Sequence, residues 1–441
     1  MPNALSATDA IRKIREGKLT SVDLVKACLK RIEDTDGQLH AWVYLNPEHA
    51  LAQAADLDQI RLNGRPLGPL HGVPVGLKDI IDTKEMPTER GSVIFKDRRP
   101  EADAAVVDRL REAGAVIMGK TATTECAFMK AAETRNPHNP EYSPGGSSSG
   151  SAAAVAAYHV PLAIGSQTNG SVIRPASFCG TYGYKPTRGV ISRRGVLRTS
   201  ESLDQIGVFA RTLKDAAALC DVLGFYDPSD PKSYARPRPQ MAEACLTKAP
   251  VKPNFVYLDM PYHDRLSQDV HSGMAELMTA LGGQIERFDA SKNMVDLIEV
   301  HKIIQDYEIS RNLDATLSSN WEQVSEQLQA VILSGRDVSD AQYEDALGVM
   351  QSASAFFDEF FHDYDAILAP SAAGEALKYA EGTGDPIFCT IWSLAGLPSL
   401  NIPLMVSSNG LPIGVQLIGA AEEDDRLFRT ANWILKKLVS A

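Results

Sequence analysis

Two glycine- and serine-rich segments stand out in the sequence: Pro144-Gly145-Gly146-Ser147-Ser148-Ser149-Gly150-Ser151 and Gly165-Ser166-Gln167-Thr168-Asn169-Gly170-Ser171-Val172-Ile173-Arg174-Pro175-Ala176. A lysine, Lys78, stands upstream of both, directly after a short apolar run. A hydroxyl nucleophile is activated by an adjacent base. Ser171, Ser147 and Lys78 can therefore provide a nucleophile, a proton relay and a base, and no histidine is required.

The hydrophobic pattern around these segments predicts an α/β protein. Helices are predicted at 7–16, 21–34, 47–62, 104–113, 151–158, 213–223, most of 267–361 and 426–439, and strands at 73–77, 115–118, 161–165, 254–258, 366–369, 400–405 and 414–418. Short buried strands alternating with helices indicate a sheet covered on both faces. No clear linker divides the chain, so we expect one domain over 1–441, with a helical N-terminal segment over 1–62.

Composition excludes several classes of function. The formal net charge is −12, which argues against a nucleic-acid partner. No apolar run is long enough to span a membrane, and no signal peptide is evident at the start. The six cysteines are scattered without a CxxC pair, so neither a metal site nor a disulfide framework is expected. We therefore expect a reduced, cytoplasmic protein with mostly buried thiols, no metal and no cofactor.

Two motif matches have competing interpretations. Residues 114–121 fit the phosphate-loop pattern GxxxxGK[ST], but their middle residues resemble a strand that follows a helix, which is the wrong context for binding phosphate. We expect a strand followed by a loop that begins at Gly119. Residues 146–150 fit GxSxG with Ser148 at the centre, but no strand precedes them, as a nucleophile elbow requires.

The two segments and their surroundings resemble the amidase signature hydrolases. The resemblance extends from Gly72-Val73-Pro74 and Lys78-Asp79 through Gly119-Lys120-Thr121, Gly145 to Ala157, Gly170-Ser171, Arg174-Pro175-Ala176 and Gly183-Tyr184-Lys185-Pro186-Thr187 to Ser202-Leu203-Asp204-Gln205, Gly396-Leu397-Pro398-Ser399 and Gly414-Val415-Gln416. It leaves out only about 225–360, which we expect to be a variable segment that shapes the substrate pocket. The resemblance implies the amidase signature fold, a large mixed sheet with helices on both faces.

The resemblance also implies the role of each site residue. Ser171 would be the nucleophile that carries the acyl group, Lys78 the neutral base, and Ser147 the relay between them, held after a cis Gly146–Ser147 peptide bond. The backbone amides of Thr168, Asn169, Gly170 and Ser171 would form the oxyanion hole. The chain departs from the family where Asn169 replaces a frequent glycine and Gln167 a frequent aspartate. Asparagine tolerates left-handed backbone geometry better than most residues do.

The function implied is hydrolysis of a carboxylic amide in a small molecule, with esters and carbamates as further candidates. Within the same family, an amidotransferase subunit that works with partner chains is the alternative, and a nucleotide-binding protein is a remote one. By rough correspondence, the pocket residues would be Cys126, Ala127, Phe128, Ile391 and Trp392, whose other possible role is core packing. The resemblance is also compatible with a homodimer.

Overall fold

The computed structural model describes residues 1–238, 240–290 and 294–440. Within them the chain forms eleven strands: β1 (Trp42–Leu45), β2 (Pro74–Lys78), β3 (Val116–Thr121), β4 (Leu162–Gln167), β5 (Tyr182–Lys185), β6 (Gln205–Ala210), β7 (Phe255–Asp259), β8 (Ile285–Asp289), β9 (Ala366–Pro370), β10 (Ser399–Val406) and β11 (Pro412–Ile418).

Fourteen α-helices lie in the same described ranges. They are α1 (Ala7–Arg15), α2 (Ser21–Leu39), α3 (Pro47–Leu62), α4 (Ala105–Glu112), α5 (Ser149–Ala156), α6 (Ile173–Cys179), α7 (Leu213–Leu223), α8 (Met241–Leu246), α9 (Gln268–Leu281), α10 (Asp296–Leu317), α11 (Glu326–Asp337), α12 (Asp340–Phe360), α13 (Ile387–Leu394) and α14 (Asp424–Ser440). None of them is long and apolar enough to cross a bilayer.

Local sequence signals explain where several helices begin and end. The side chains of Ser6 and Thr20 accept hydrogen bonds from backbone amides in the first turns of α1 and α2. At α12, Ser339 and Gln342 form a reciprocal capping box. Gly114 follows α4 with a φ of 77°, which permits the tight turn into β3.

All eleven described strands belong to one mixed sheet, in the order β1-β3-β2-β4-β6-β5-β10-β11-β9-β7-β8. Strand β2 runs parallel to both β3 and β4, while each neighbouring pair between β4 and β9 in this order is antiparallel. Because parallel strands end at the same edge, the carboxyl ends of β2 and β4 lie side by side. Lys78 ends β2 and Gln167 ends β4, so this edge carries the residues singled out in the sequence.

Each face of the sheet packs against its own set of helices. On one face, Val75 and Ile164 share a hydrophobic core with residues of α4, α7 and α14. On the other face, Ala163 and Met118 share a core with residues of α2, α3 and α5. Alternate residues of a strand point to opposite faces, and both faces are apolar here, which is why these strands read as nearly continuous apolar runs. The predicted α/β fold with both faces covered is confirmed.

Every helix and strand predicted above has a counterpart, but four strands and the three short helices α6, α8 and α13 were missed. Strands β1, β5, β6 and β8 are four to six residues long, and three of them carry glycine or charged residues that hide the pattern. One detail was wrong: β3 does not end at Gly119 but continues through Thr121, because β1 and β2 pair with those residues.

Candidate active site

Lys78 lies at the end of β2 with a fully buried side chain. Its Nζ donates hydrogen bonds to Ser147 Oγ at 2.7 Å and to Ser166 Oγ at 2.9 Å. Burial lowers the pKa of Lys78 to about 7, and the negative charge of Asp204 offsets only part of that effect. A lysine in this setting is partly neutral at neutral pH, so it can accept a proton.

Ser147 lies in the turn before α5, and its backbone is held from two directions. Its carbonyl accepts a hydrogen bond from the Thr124 amide at 3.2 Å. The preceding carbonyl, of Gly146, accepts one from Arg174 Nη2 at 2.8 Å. The Gly146–Ser147 peptide bond is cis. These contacts fix the backbone that carries the Ser147 hydroxyl beside Lys78.

Arg174 is a buried cation that forms no ion pair with a carboxylate among the described residues. Its side chain is fully enclosed, and burial lowers its pKa to about 10. Its Nε and Nη1 atoms have no hydrogen-bond partner in the described part of the chain. Arg174 belongs to a segment that the sequence singles out, but no role was predicted for it. A lone arginine inside the otherwise apolar α6 was the available signal.

Ser171 lies in the turn between β4 and α6, and it is 9% exposed, against 2% for Ser147. Ser171 is therefore the more exposed of the two residues. The two segments meet where the Ser148 amide donates to the Ser171 carbonyl at 3.4 Å. No hydrogen bond joins the side chains of Ser147 and Ser171 themselves among the described residues.

The backbone amides of Asn169, Gly170 and Ser171 have no acceptor among residues 1–238, 240–290 and 294–440. Unpaired backbone amides are uncommon in buried turns. Free N–H groups next to a serine hydroxyl are donors that an anion can use. Asn169 does not have a positive φ, so the left-handed geometry considered for it does not occur.

Two residues from outside the predicted set contact Thr168 in this turn. Asp204 Oδ1 accepts a hydrogen bond from Thr168 Oγ1 at 2.5 Å, and Asp204 Oδ2 accepts one from the Thr199 amide. His301 Nε2 lies 3.2 Å from the Thr168 carbonyl, and burial lowers the His301 pKa to about 4. His301 is thus neutral and donates through Nε2. No local pattern in the sequence indicated that a histidine of α10 would reach this turn.

The residues predicted to line the pocket divide into two groups. Ala127 borders a small cavity together with Ser166 and Thr168, and it has a positive φ of 60°. Cys126 is buried and Phe128 half-buried in the same loop. Ile391 and Trp392 lie in the hydrophobic core, where Trp392 packs edge-on against Phe357, while other residues of α13 face the turn.

Neither look-alike motif has the geometry of the site that it resembles. Residues 119–121 belong to β3, and Lys120 is buried, where its Nζ donates to the Ile81 carbonyl and to Thr88 Oγ1 at 2.8 Å. The described chain continues from Thr121 as a loop, so no helix begins there to offer free amides to a phosphate. Ser148 Oγ donates to the Ser166 carbonyl at 3.2 Å and is fully buried.

Comparison with known proteins agrees with this geometry. A family model described as Amidase matches residues 23–428. The chain belongs to the amidase signature family. Its relatives include a glutamyl-tRNA(Gln) amidotransferase subunit of Natranaerobius thermophilus, which is 34% identical over 98% of this chain and 96% of the relative. The subunit of the same name from Streptomyces coelicolor is 35% identical over 96% and 94%.

Solved structures of this amidase family share the fold closely. The peptide amidase of Stenotrophomonas maltophilia has a TM-score of 0.87 and 29% identity, over 98% of this chain and 97% of that one. A chain from a vestigial protein complex that bears on the origins of an s-triazine catabolic enzyme has a TM-score of 0.92, with 27% identity and 98% of both chains covered. The protein is therefore an enzyme of a family that acts on C–N amide bonds.

Proposed function

We propose that this enzyme cleaves a carboxylic amide through an acyl-enzyme on Ser171, with Ser147 as proton relay and Lys78 as base. The observation that carries the proposal is the buried Lys78, whose pKa is lowered to about 7 and whose Nζ lies 2.7 Å from Ser147 Oγ. A base with a pKa near the working pH is the most effective proton acceptor. The three free amides beside Ser171 supply the second requirement, stabilisation of negative charge.

The proposed reaction has two halves. Neutral Lys78 takes a proton from Ser147 while Ser147 takes one from Ser171, and Ser171 Oγ forms a bond to the amide carbonyl carbon. The carbonyl oxygen gains negative charge and is stabilised by the amides of residues 168–171. The C–N bond then breaks as a proton returns from Lys78 through Ser147 to the leaving nitrogen. Water or another nucleophile then attacks the ester, releases the acid or its derivative, and frees Ser171.

The test of this chemistry is covalent labelling combined with substitution. We expect a fluorophosphonate to add one adduct at Ser171, located by peptide mass spectrometry, and Ser171→Ala to abolish both the adduct and turnover. Lys78→Ala is expected to be nearly as damaging, with the thermal transition retained in both variants. Normal turnover by Ser171→Ala would exclude this serine as the nucleophile, and full activity of Lys78→Ala would exclude that lysine as the base.

The names of the relatives favour one biological setting for this chemistry. Two relatives are amidotransferase subunits, and each is about a third identical to this chain over nearly its whole length. We therefore propose glutamine as the amide and partner chains as part of the working enzyme. With a net charge of −12, the chain itself is poorly suited to hold tRNA. Any contact with tRNA is then expected from a partner chain.

A stand-alone amidase is the second candidate, and it was the main expectation from the sequence. It is favoured by the likeness to a peptide amidase at a TM-score of 0.87. Purified chain would be assayed with glutamine and with a panel of aryl amides, peptide amides, esters and carbamates. Turnover of simple amides by the chain alone supports the amidase; glutamine hydrolysis that appears only with co-purified partner chains supports the amidotransferase. Light scattering on the same sample tests the proposed homodimer.

A further inference from the structure

Two hydroxyl side chains of α13 contact the turn that carries the free amides. Thr390 Oγ1 donates a hydrogen bond to Asn169 Oδ1 at 2.8 Å, and Ser393 Oγ donates one to the Asn169 carbonyl. Residues three apart lie on the same face of a helix, so both hydroxyl groups face the turn. A single residue of the turn is thereby held at its side chain and at its main chain.

Gln167 connects the same hydroxyl of Ser393 to α6. Its Nε2 donates to Ser393 Oγ at 3.0 Å, while its Oε1 accepts from the amides of Val172 at 2.8 Å and Ile173 at 3.0 Å. A carboxamide can donate at one end and accept at the other, whereas a carboxylate has no N–H group to donate. Because Gln167 Nε2 donates to Ser393 Oγ, the Ser393 hydroxyl is free to donate its own proton to the Asn169 carbonyl.

These bonds determine the direction of the free amides. In a trans peptide the C=O and the N–H of one plane point in opposite directions. The Ser393 bond to the Asn169 carbonyl thus directs the Gly170 N–H away from α13. In the same way, the contact of His301 with the Thr168 carbonyl directs the Asn169 N–H away from His301 and α10. Both amides belong to the set that lacks an acceptor within the described residues.

We infer that Thr390 and Ser393 are positioning residues, which hold the Gly170 N–H where the oxyanion of the reacting carbonyl forms, and that Gln167 and Asn169 are matched to them. The inference rests on the proposed acyl-enzyme at Ser171. Removing one oxyanion donor typically lowers kcat by about 10²–10³-fold. Loss of its orientation alone is expected to lower kcat by about 10–100-fold, with KM nearly unchanged.

The experiment compares Ser393→Ala with a matched control, Ser354→Ala. Ser354 Oγ donates to the carbonyl of Ala395, the residue that directly follows α13, so the control removes a hydroxyl that holds the end of the same helix without touching the turn. Thr390→Val and Thr390→Ser form a second pair: the first removes the hydroxyl at similar volume, and the second keeps the hydroxyl while losing the methyl group. For each variant we would measure the rate of fluorophosphonate acylation, kcat and KM on a reactive anilide, and Tm.

We expect Ser393→Ala and Thr390→Val to slow acylation and kcat, and Ser354→Ala and Thr390→Ser to stay within about threefold of the wild type. In an Asn169→Gly background, Thr390→Val is expected to cause no further loss, because its partner is already absent. If Ser393→Ala is acylated at the wild-type rate, or if Ser354→Ala slows acylation as much as Ser393→Ala does, the inference is wrong while the proposed function is unaffected. A wild-type enzyme that takes no label at Ser171 overturns the proposed function as well.

Discussion

Lys78 and Lys120 lie on adjacent parallel strands and are both fully buried, but they differ in the carboxylates around them. Lys120 is attracted first by Asp79 and then by Asp82, and its pKa is lowered to about 8. For Lys78, the attracting carboxylate is that of Asp204, which itself accepts hydrogen bonds from Thr168 Oγ1 and the Thr199 amide. The pKa of Lys78 is lowered to about 7. More carboxylates therefore favour the charged form of Lys120 than favour the charged form of Lys78.

The first prediction concerns pH. Because only neutral Lys78 can accept a proton, kcat/KM is expected to rise tenfold per pH unit below about pH 7 and to level off above it. The measurement is a pH profile between 5.5 and 9, with Tm recorded at each pH to separate titration from unfolding. A profile that is flat through pH 7 while the fold is intact would exclude Lys78 as the titrating base.

A second prediction concerns Ser166, the other hydrogen-bond partner of Lys78. Ser166→Ala removes an acceptor at 2.9 Å that favours the charged lysine, so the acid limb of the pH profile is expected to move to lower pH. The plateau is expected to fall about tenfold because the amine is held less firmly. Ser151→Ala is the matched control: its buried hydroxyl donates to the Ile164 carbonyl and does not contact Lys78. An unmoved acid limb in Ser166→Ala would contradict this account.

The sequence predicted one part of the site well and another part not at all. Strands and glycine-rich turns with clear local sequence patterns carry Lys78, Ser147 and Ser171. The structure brings these three residues to one edge of the sheet. Asp204, His301, Thr390 and Ser393 reach the same turn from segments distant in sequence. A single buried hydroxyl or imidazole leaves no periodic signal, since its partner is determined by how the helices pack. Prediction from local pattern therefore singled out the three side chains at this edge of the sheet and missed the distant residues that contact the same turn.

A third prediction separates activity from stability at Arg174. Arg174→Met removes the donor to the Gly146 carbonyl and is expected to lower the rate of Ser171 acylation by about 10²-fold, because the Ser147 backbone loses a contact that aligns it. Stability is expected to change little, because an enclosed guanidinium without a carboxylate partner is costly to bury. Tm and the acylation rate would be measured on the same sample. A large fall in Tm together with unchanged acylation would contradict both halves of this expectation.

The last prediction is that Lys120 serves the fold and binds no phosphate. Asp79 is buried nearby, and burial raises its pKa to about 6 even though the charge of Lys120 offsets part of that rise. Lys120 also donates hydrogen bonds to the Ile81 carbonyl and to Thr88 Oγ1, and a buried acceptor left without its donor costs about 1–3 kcal/mol. Lys120→Met is therefore expected to lower the free energy of unfolding by about that amount in urea denaturation. The double variant Lys120→Met with Asp79→Asn is expected to recover part of the lost stability, because it also removes the buried Asp79 carboxylate, whose ionised form the Lys120 charge favours. Calorimetric titration of the wild type with ATP is expected to give no binding heat; measurable binding that Lys120→Met abolishes without loss of stability would restore the phosphate-loop interpretation.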